Sequence, residues 1–301
     1  MLIAPAQRSV AALALAAVVL AAVVLGTGCS ASPPSHAGGQ RNPVLAALIA
    51  SSHSSRWAAS TDQPVAYRLL QLHLIVYVSV PARTFALRRL SSSEVQIDSA
   101  SAGSYRTAES QPATAVNAVS QRHWIDGSQA ATGRAPVSQV VRYRPGEYSF
   151  LDQGSSLTYQ GAHGLGTDPV KIRSVIGGHL AALGPPSSAS VLRETGVLLA
   201  AAPLSPDSRA ALWQAAFEVP GVHDCGQRTD LAARHGTAYC ATGGSLTTGI
   251  VLDPGTGAVL SVQQWLAKPD PTNYPTMLTG DLIQDDTYLP IDSQEPCDSR
   301  C

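Results

Sequence analysis

The stretch TTGIVLDPGTGAVLSVQQW, residues 247–265, sets two apolar arms around Asp253-Pro254-Gly255-Thr256-Gly257. Proline presets one turn torsion and the glycines permit positive φ, so the pattern reads as a β-hairpin. The segment immediately upstream, which carries Cys225 and Cys240, supplies two further strands. About four C-terminal strands are expected.

Moving back from the hairpin, the period changes from two to 3.6. Ser205 followed by Pro206 opens a helix that buries Leu212, Trp213, Ala216 and Phe217, and Pro220-Gly221 ends it. A helix at 189–201 presents Val191, Leu192, Thr195, Leu198 and Leu199. A third is capped by Thr167 or Asp168, with Pro169 near its first position. Val170, Ile172, Val175, Ile176, Leu180 and Leu183 follow helical spacing before Gly184-Pro185-Pro186 stops it. Earlier still lie strand patterns at LLQLHLIVYVSV (69–80), RTFALRR (83–89), EVQIDS (94–99) and SQVVRYR (138–144), with turn signals such as Asp126-Gly127 between them. Asn42 and Pro43 start a short helix ahead of these strands. The expected fold is therefore α+β: a curved antiparallel sheet packed against a helical insertion near 168–218. One domain covers 42–267, and an irregular tail rich in Pro, Asp and Thr covers 268–301, loosely packed along the surface.

Composition bounds the rest. The 301 residues suffice for a sizeable core. Charged residues make up 14% and the formal net charge is −1, which excludes broad electrostatic attraction to nucleic acid or an anionic bilayer. Only Lys171 and Lys268 are lysines, so the positive charge is nearly all arginine. With abundant alanine, this is the composition of a high-GC, actinobacterial genome.

The N-terminus has the order of an export signal. Met1 to Arg8 carries one charged side chain, Ser9 to Gly28 is apolar and uncharged, and small residues precede Cys29. The next charge is Arg41, so the positive end stays inside and the remainder is exported. Leu25-Gly26-Thr27-Gly28-Cys29 resembles the bacterial lipobox, with leucine one place early. That resemblance implies a diacylglycerol thioether on Cys29 and cleavage after Gly28, giving a signal peptide at 1–28. Two other readings stand beside it: an uncleaved membrane span, since about twenty apolar residues suffice, and a plain secretory signal cut elsewhere. Residues 29–41, SASPPSHAGGQ at their centre, form the lipidated N-terminus and a flexible tether.

Four cysteines remain after Cys29: Cys225, Cys240, Cys297 and Cys301. An even number on an exported chain suggests disulfides, and four allow three connectivities. The favoured one pairs neighbours in sequence, Cys225 with Cys240 and Cys297 with Cys301. The metal alternative uses His223, Cys225, His235 and Cys240, but the spacing is poor for a zinc finger, so no metal is expected.

Other chemical signals have plain explanations. GGSLTTG (243–249) lacks the nucleophile elbow and reads as a turn into a strand. GAHGLGTD (161–168) lacks the P-loop lysine and reads as a loop. His179 reads as a boundary or surface residue and His73 as a core strand residue. Asp285-Asp286, with Asp281 nearby, reads as a solvated acidic turn. Trp124, Trp213 and Trp265 read as core. No catalytic residue and no cofactor follow from the sequence.

LGTDPVKIRSVIGGHLAAL, APLSPDSRAALWQAAFEVPGV and GIVLDPGTGAVLSVQQW, in this order after early strands, resemble an uncharacterised actinobacterial family of exported membrane proteins and lipoproteins. The resemblance spans roughly residues 60–267. Its recurring positions, Thr167-Asp168-Pro169, Pro220-Gly221-Val222 and Asp253 to Gly257, are structural punctuation, so it transfers no catalytic residue. Some members accompany alternative sigma factors, which implies an extracytoplasmic sensory role as one alternative. The expected architecture also resembles carriers of lipids or lipoproteins, a likeness of fold alone. The leading expectation is a non-enzymatic cell-envelope lipoprotein at the outer face of the cytoplasmic membrane, held there through Cys29 and binding a protein partner or apolar ligand. A membrane-anchored hydrolase, its site assembled only in three dimensions, is the other alternative.

Overall fold

A computed structural model describes residues 42–53, 64–79, 83–109, 113–127, 138–151, 157–182, 184–274 and 276–291. The signal-peptide and tether segments with Cys29, and the Cys297–Cys301 pairing, lie outside the described residues. No described helix is long and apolar enough to cross a membrane.

The hairpin at 247–265 forms as expected. Strands β8 (Leu246–Leu252) and β9 (Val259–Leu266) pair antiparallel. The Asp253 carboxylate accepts from the Gly255 and Thr256 amides, and Gly257 sits at φ 68°. Around it runs one open antiparallel sheet. From one edge to the other its order is β5 (Ser138–Tyr143), β3 (Gly103–Glu109), β2 (Arg83–Ile97), β1 (Val65–Ser79), β10 (Leu282–Pro290), β9, β8, β7 (His235–Gly243) and β6 (His223–Thr229), with β4 (Thr114–Ala115) added to β2. The chain starts at the middle of the sheet and meanders outward to β5. A helical connection takes it to the opposite edge, and a second meander brings it back to the middle. The seam between the meanders is the antiparallel β1–β10 pair, Tyr67↔Pro290 through His73↔Gln284.

The observed class is α+β with a large antiparallel sheet, in agreement with the sequence. Three details differ. RTFALRR and EVQIDS are one strand: the serines between them look like a turn, but β2 pairs with β1 continuously from Val65↔Ile97 to Ser79↔Arg83. Ser91 and Ser93 are buried in that ladder, where a small hydroxyl takes little room. Asp126-Gly127 ends helix α2 (Ala118–Gly127), which packs on β2, instead of turning between strands. The third difference is the tail. Residues 282–290 are not irregular but form β10, the strand that completes the sheet. Its acidic residues hide it from a hydrophobicity reading.

The helices follow their caps. In α4 (Pro169–Ala181) the Asp168 carboxylate accepts from the Val170 and Lys171 amides. Ser187 and Ser190 form a reciprocal capping box on α5 (Ser188–Ala201), and Ser205 caps α6 (Pro206–Phe217). Helix α5 lies over β7, β8 and β9, α4 and α6 pack against it and each other, and α1 (Pro43–Ser52) packs on α6. A short α3 (Tyr159–His163) precedes α4. Gly196 permits the closest approach: a Cβ there would lie 2.8 Å from Val262 Cγ2 and 2.9 Å from Ile250 Cγ1. The Arg209 guanidinium donates to the Leu199 carbonyl at 2.7 Å, and burial pulls its pKa down to about 10.

Ile172, Ile176 and Leu180 of α4 are buried as the pattern requires, whereas Val170 and Val175 are exposed. His179 is buried rather than superficial, because α4 is gripped by both α5 and α6.

Candidate functional site

Beyond β9, toward β1 and β3, α5 no longer seals the sheet. Its side chains Arg193, Val197 and Ala201 roof a cavity of about 250 Å³, partly open to solvent. The floor and walls are Tyr67, Leu69 and Gln71 of β1, Tyr105 of β3, Tyr143 of β5, Asp286 and Tyr288 of β10, and the loop Tyr148-Ser149-Phe150. Each strand contributes alternate residues, as the pleat demands. Tyr67, Leu69 and Gln71 share a face, and Asp286 stands opposite Gln71 across the β1–β10 seam.

The aromatic rings stand at large angles to one another. Tyr148 makes edge contacts to Tyr143 (centroids 5.1 Å, 79°) and Phe150 (5.0 Å, 81°), and Tyr67 tilts against Tyr288 at 5.8 Å. Such packing suits the ring quadrupoles. The Tyr67 and Tyr148 hydroxyls are 3.3 Å apart. Burial, then the neighbouring Tyr148 and Tyr288 hydroxyls, raises the Tyr67 pKa well above the ordinary phenol value, so its hydroxyl stays protonated.

One end of the cavity is ionic. Arg193 Nη1 donates to Glu194 Oε1 at 2.6 Å, and Nη2 lies 3.6 Å from Asp286 Oδ2. Asp286 also accepts from Gln71 Nε2 (3.0 Å) and Gln284 Nε2 (2.6 Å), and the Tyr105 hydroxyl donates to Gln71 Oε1 (3.1 Å). The side chains of Arg193, Glu194 and Asp286 are 19%, 6% and 4% exposed.

Asp285 and Asp286 are therefore not a solvated turn. Both are buried strand residues, and because successive strand side chains alternate, they serve opposite faces of the sheet. Asp286 enters the cavity. Asp285 accepts from Gln263 Nε2 (2.8 Å) and Thr287 Oγ1 (2.9 Å) on the other face. The Asp230–Arg234 turn folds over that face, with Arg234 bonded to Asp230 and to the Leu260 and Tyr288 carbonyls. Burial lifts the Asp285 pKa to about 7 against the pull of its two donors. Asp281 stands apart, accepting from the Leu278 amide.

The cysteine cluster resolves as a disulfide. Cys225 and Cys240 join β6 to β7 with their Cα atoms 6.0 Å apart. Trp265 lies beneath, next to Gly249 and Cys240, with Arg228 stacked 4.6 Å over its ring. The zinc set is not assembled: His235 bonds Thr229 at the far end of the hairpin, while both cysteines are used by the bridge. Among the described residues no group of three or more His, Cys, Asp or Glu side chains is arranged to hold a metal. Trp213 is core, whereas Trp124 and Trp265 are half-buried, as is His73. GGSLTTG is the β7–β8 turn.

A second concavity, of about 410 Å³, runs between α1 and the β8–β9 turn and is lined mainly by apolar groups such as Val44, Leu48, Tyr239 and Leu252. Asp253, the charged residue of its lining, is half-buried.

The sequence does not reveal the tyrosine cavity. Its residues come from five separate segments, and only the tertiary fold unites them. Two features of the sequence bear on it: Arg193-Glu194 interrupts an otherwise uncharged helix, and Tyr143, Tyr148 and Phe150 cluster within eight residues. No protein-family model matches the chain, and no curated protein matches it.

Proposed function

We propose that this protein is an exported, lipid-anchored binding protein whose cavity between α5 and the β1–β3 side of the sheet holds a small molecule at the outer face of the membrane. The observation that carries the reading is the cavity itself: an amphipathic tyrosine lining with a buried ionic end. Binding sites combine apolar and aromatic walls with a few fixed polar groups in this way. The polar groups are held by one another, which suits recognition of a bound molecule better than turnover. The Cys225–Cys240 bridge fits an oxidising compartment, and the lipobox-like segment ending at Cys29 supplies the anchor.

The likeness to lipid or lipoprotein carriers is part of this proposal, with a limit of size. About 250 Å³ lies at or below the small end of ordinary ligand pockets. A headgroup-sized molecule fits, and a whole diacyl lipid does not. The test is mass spectrometry of protein purified from its own membrane, under native and then denaturing conditions. A diacylglyceryl-modified Cys29 at the mature N-terminus and a stoichiometric non-covalent small molecule are expected. An unmodified N-terminus removes the anchor, and an empty protein removes the binding function.

A further inference from the structure

Independently of the tyrosine cavity, we propose that the Cys225–Cys240 bridge is a thiol–disulfide exchange centre, with Cys225 as its reacting sulfur and His223 as the base beside it. The bridge joins the edge strand β6 to β7. Its two sulfurs are unequally placed. Cys240 is 0% exposed, and a Cβ on Gly249 would lie 3.1 Å from its Sγ and 2.6 Å from Trp265 Cη2. Cys225 is half-buried on a strand whose other residues are all exposed. The ladder pairs Asp224 with Tyr239 and resumes at Gln227 with Thr237, so Cys225 and Gly226 stand in a bulge, where Gly226 takes φ 76°. Bulges re-aim a side chain at the cost of local pairing, and they collect beside active sites. A thiol approaching from solvent therefore meets Cys225 first.

The neighbouring histidine sets the chemistry. His223 Nδ1 lies 2.9 Å from the Gly221 carbonyl, which can only accept, so Nδ1 carries the hydrogen. The neutral ring then presents the lone pair of Nε2 to Cys225 Sγ, 3.5 Å away. In the bridge this contact has no proton to take. Once the bridge is reduced, Nε2 accepts the Cys225 thiol proton and leaves a thiolate, the form that attacks disulfides. That thiolate displaces one sulfur of a partner's disulfide and forms a mixed disulfide, and the displaced thiolate takes the proton held by His223. Cys240, deprotonated, then attacks Cys225 Sγ and expels the partner's second sulfur, which takes up the Cys240 proton. The partner gains two electrons and two protons, and the protein returns to the bridged form. A dithiol partner runs the same steps backwards.

The experiment uses the full chain in a neutral maltoside detergent, with circular dichroism confirming the fold throughout. Dithiothreitol is expected to open the bridge without denaturant, and glutathione to leave its mixed disulfide on Cys225. Trypsin cuts at Arg228 and Arg234 between the two cysteines, so peptide mass spectrometry locates the adduct. His223 is exposed and can be replaced without touching the core. In the reduced chain, His223→Gln is expected to slow the reaction of Cys225 with glutathione disulfide about tenfold at neutral pH. Cys240→Ser is expected to accumulate that adduct on Cys225, because the sulfur that resolves it is gone. Any of four results overturns the proposal: a bridge that dithiothreitol opens only in denaturant, an adduct on Cys240, no adduct in folded Cys240→Ser, or an unchanged rate in His223→Gln. Should Cys240→Ser not fold, the wild-type adduct and the His223→Gln rate decide.

Discussion

The two halves of the sheet share one backbone plan and differ in what lies on them. Across β7, β8 and β9, α5 sits so close that Gly196 has no room for a methyl group, and the face is filled by Ile250, Leu252 and Val262. Across β10, β1 and β3, the same face presents tyrosines, a glutamine and an aspartate to a cavity. The first half is closed by aliphatic packing. The second is left open, and its polar groups have been paired among themselves. The contrast separates a scaffold, closed by packing, from the candidate site, whose lining leaves a cavity.

The largest effect that would sharpen this division is in the closed half. Leu212 is fully buried between α6 and the rest of the core, so Leu212→Ala is expected to cost about 3 kcal/mol. Urea denaturation measures this, and a loss below about 1 kcal/mol would mean that the helical layer is not the scaffold.

The next effect lies at the seam between the halves and depends on pH. In the folded chain Asp285 keeps its proton up to about pH 7, whereas unfolded it loses it near pH 4. Between those values the folded state binds more protons, so stability falls as pH rises through the window and levels off above it. The wild type is expected to lose about 2.6 kcal/mol between pH 5 and pH 8 from this group. Asp285→Asn removes that slope, whatever its own offset. Denaturation curves at the two pH values for both proteins check it, and parallel slopes would contradict the buried placement of Asp285.

The smallest effect belongs to the open half. Tyr143 is half-buried at the edge strand, and Tyr143→Phe should change stability by no more than about 0.5 kcal/mol. A thermal unfolding comparison decides, and a loss as large as that of Leu212→Ala would erase the distinction between the halves.

Legibility in the sequence follows the same line. Helices α4, α5 and α6 and the β8–β9 hairpin announced themselves through caps and punctuation: Asp168-Pro169, Ser205-Pro206, Pro220-Gly221 and Asp253 to Gly257. Those signals act within a few residues, so a linear reading captures them. The serines of β2 look like a break and β10 looks like a tail, because in both the strand is stabilised by partners distant in sequence. Ser93 meets Leu69, and Asp286 meets Gln71. The candidate site shares that difficulty in stronger form. Adjacent aspartates look like a hydrated turn until the pleat sends one to each face, where different donors receive them.

The proposed ligand sits in the tyrosine cavity and not in the apolar groove beside α1. Nine tyrosines report on it. Five line the cavity, while Tyr239 lines the groove, Tyr159 is core and Tyr274 packs elsewhere. The direct measurement is an NMR spectrum of protein with ¹³C-labelled tyrosine rings, recorded while the small molecules released from the native protein are added back. Shifts are expected at Tyr67, Tyr105, Tyr143, Tyr148 and Tyr288, with Tyr159, Tyr239 and Tyr274 unmoved. Shifts at Tyr239 that leave those five untouched would contradict it.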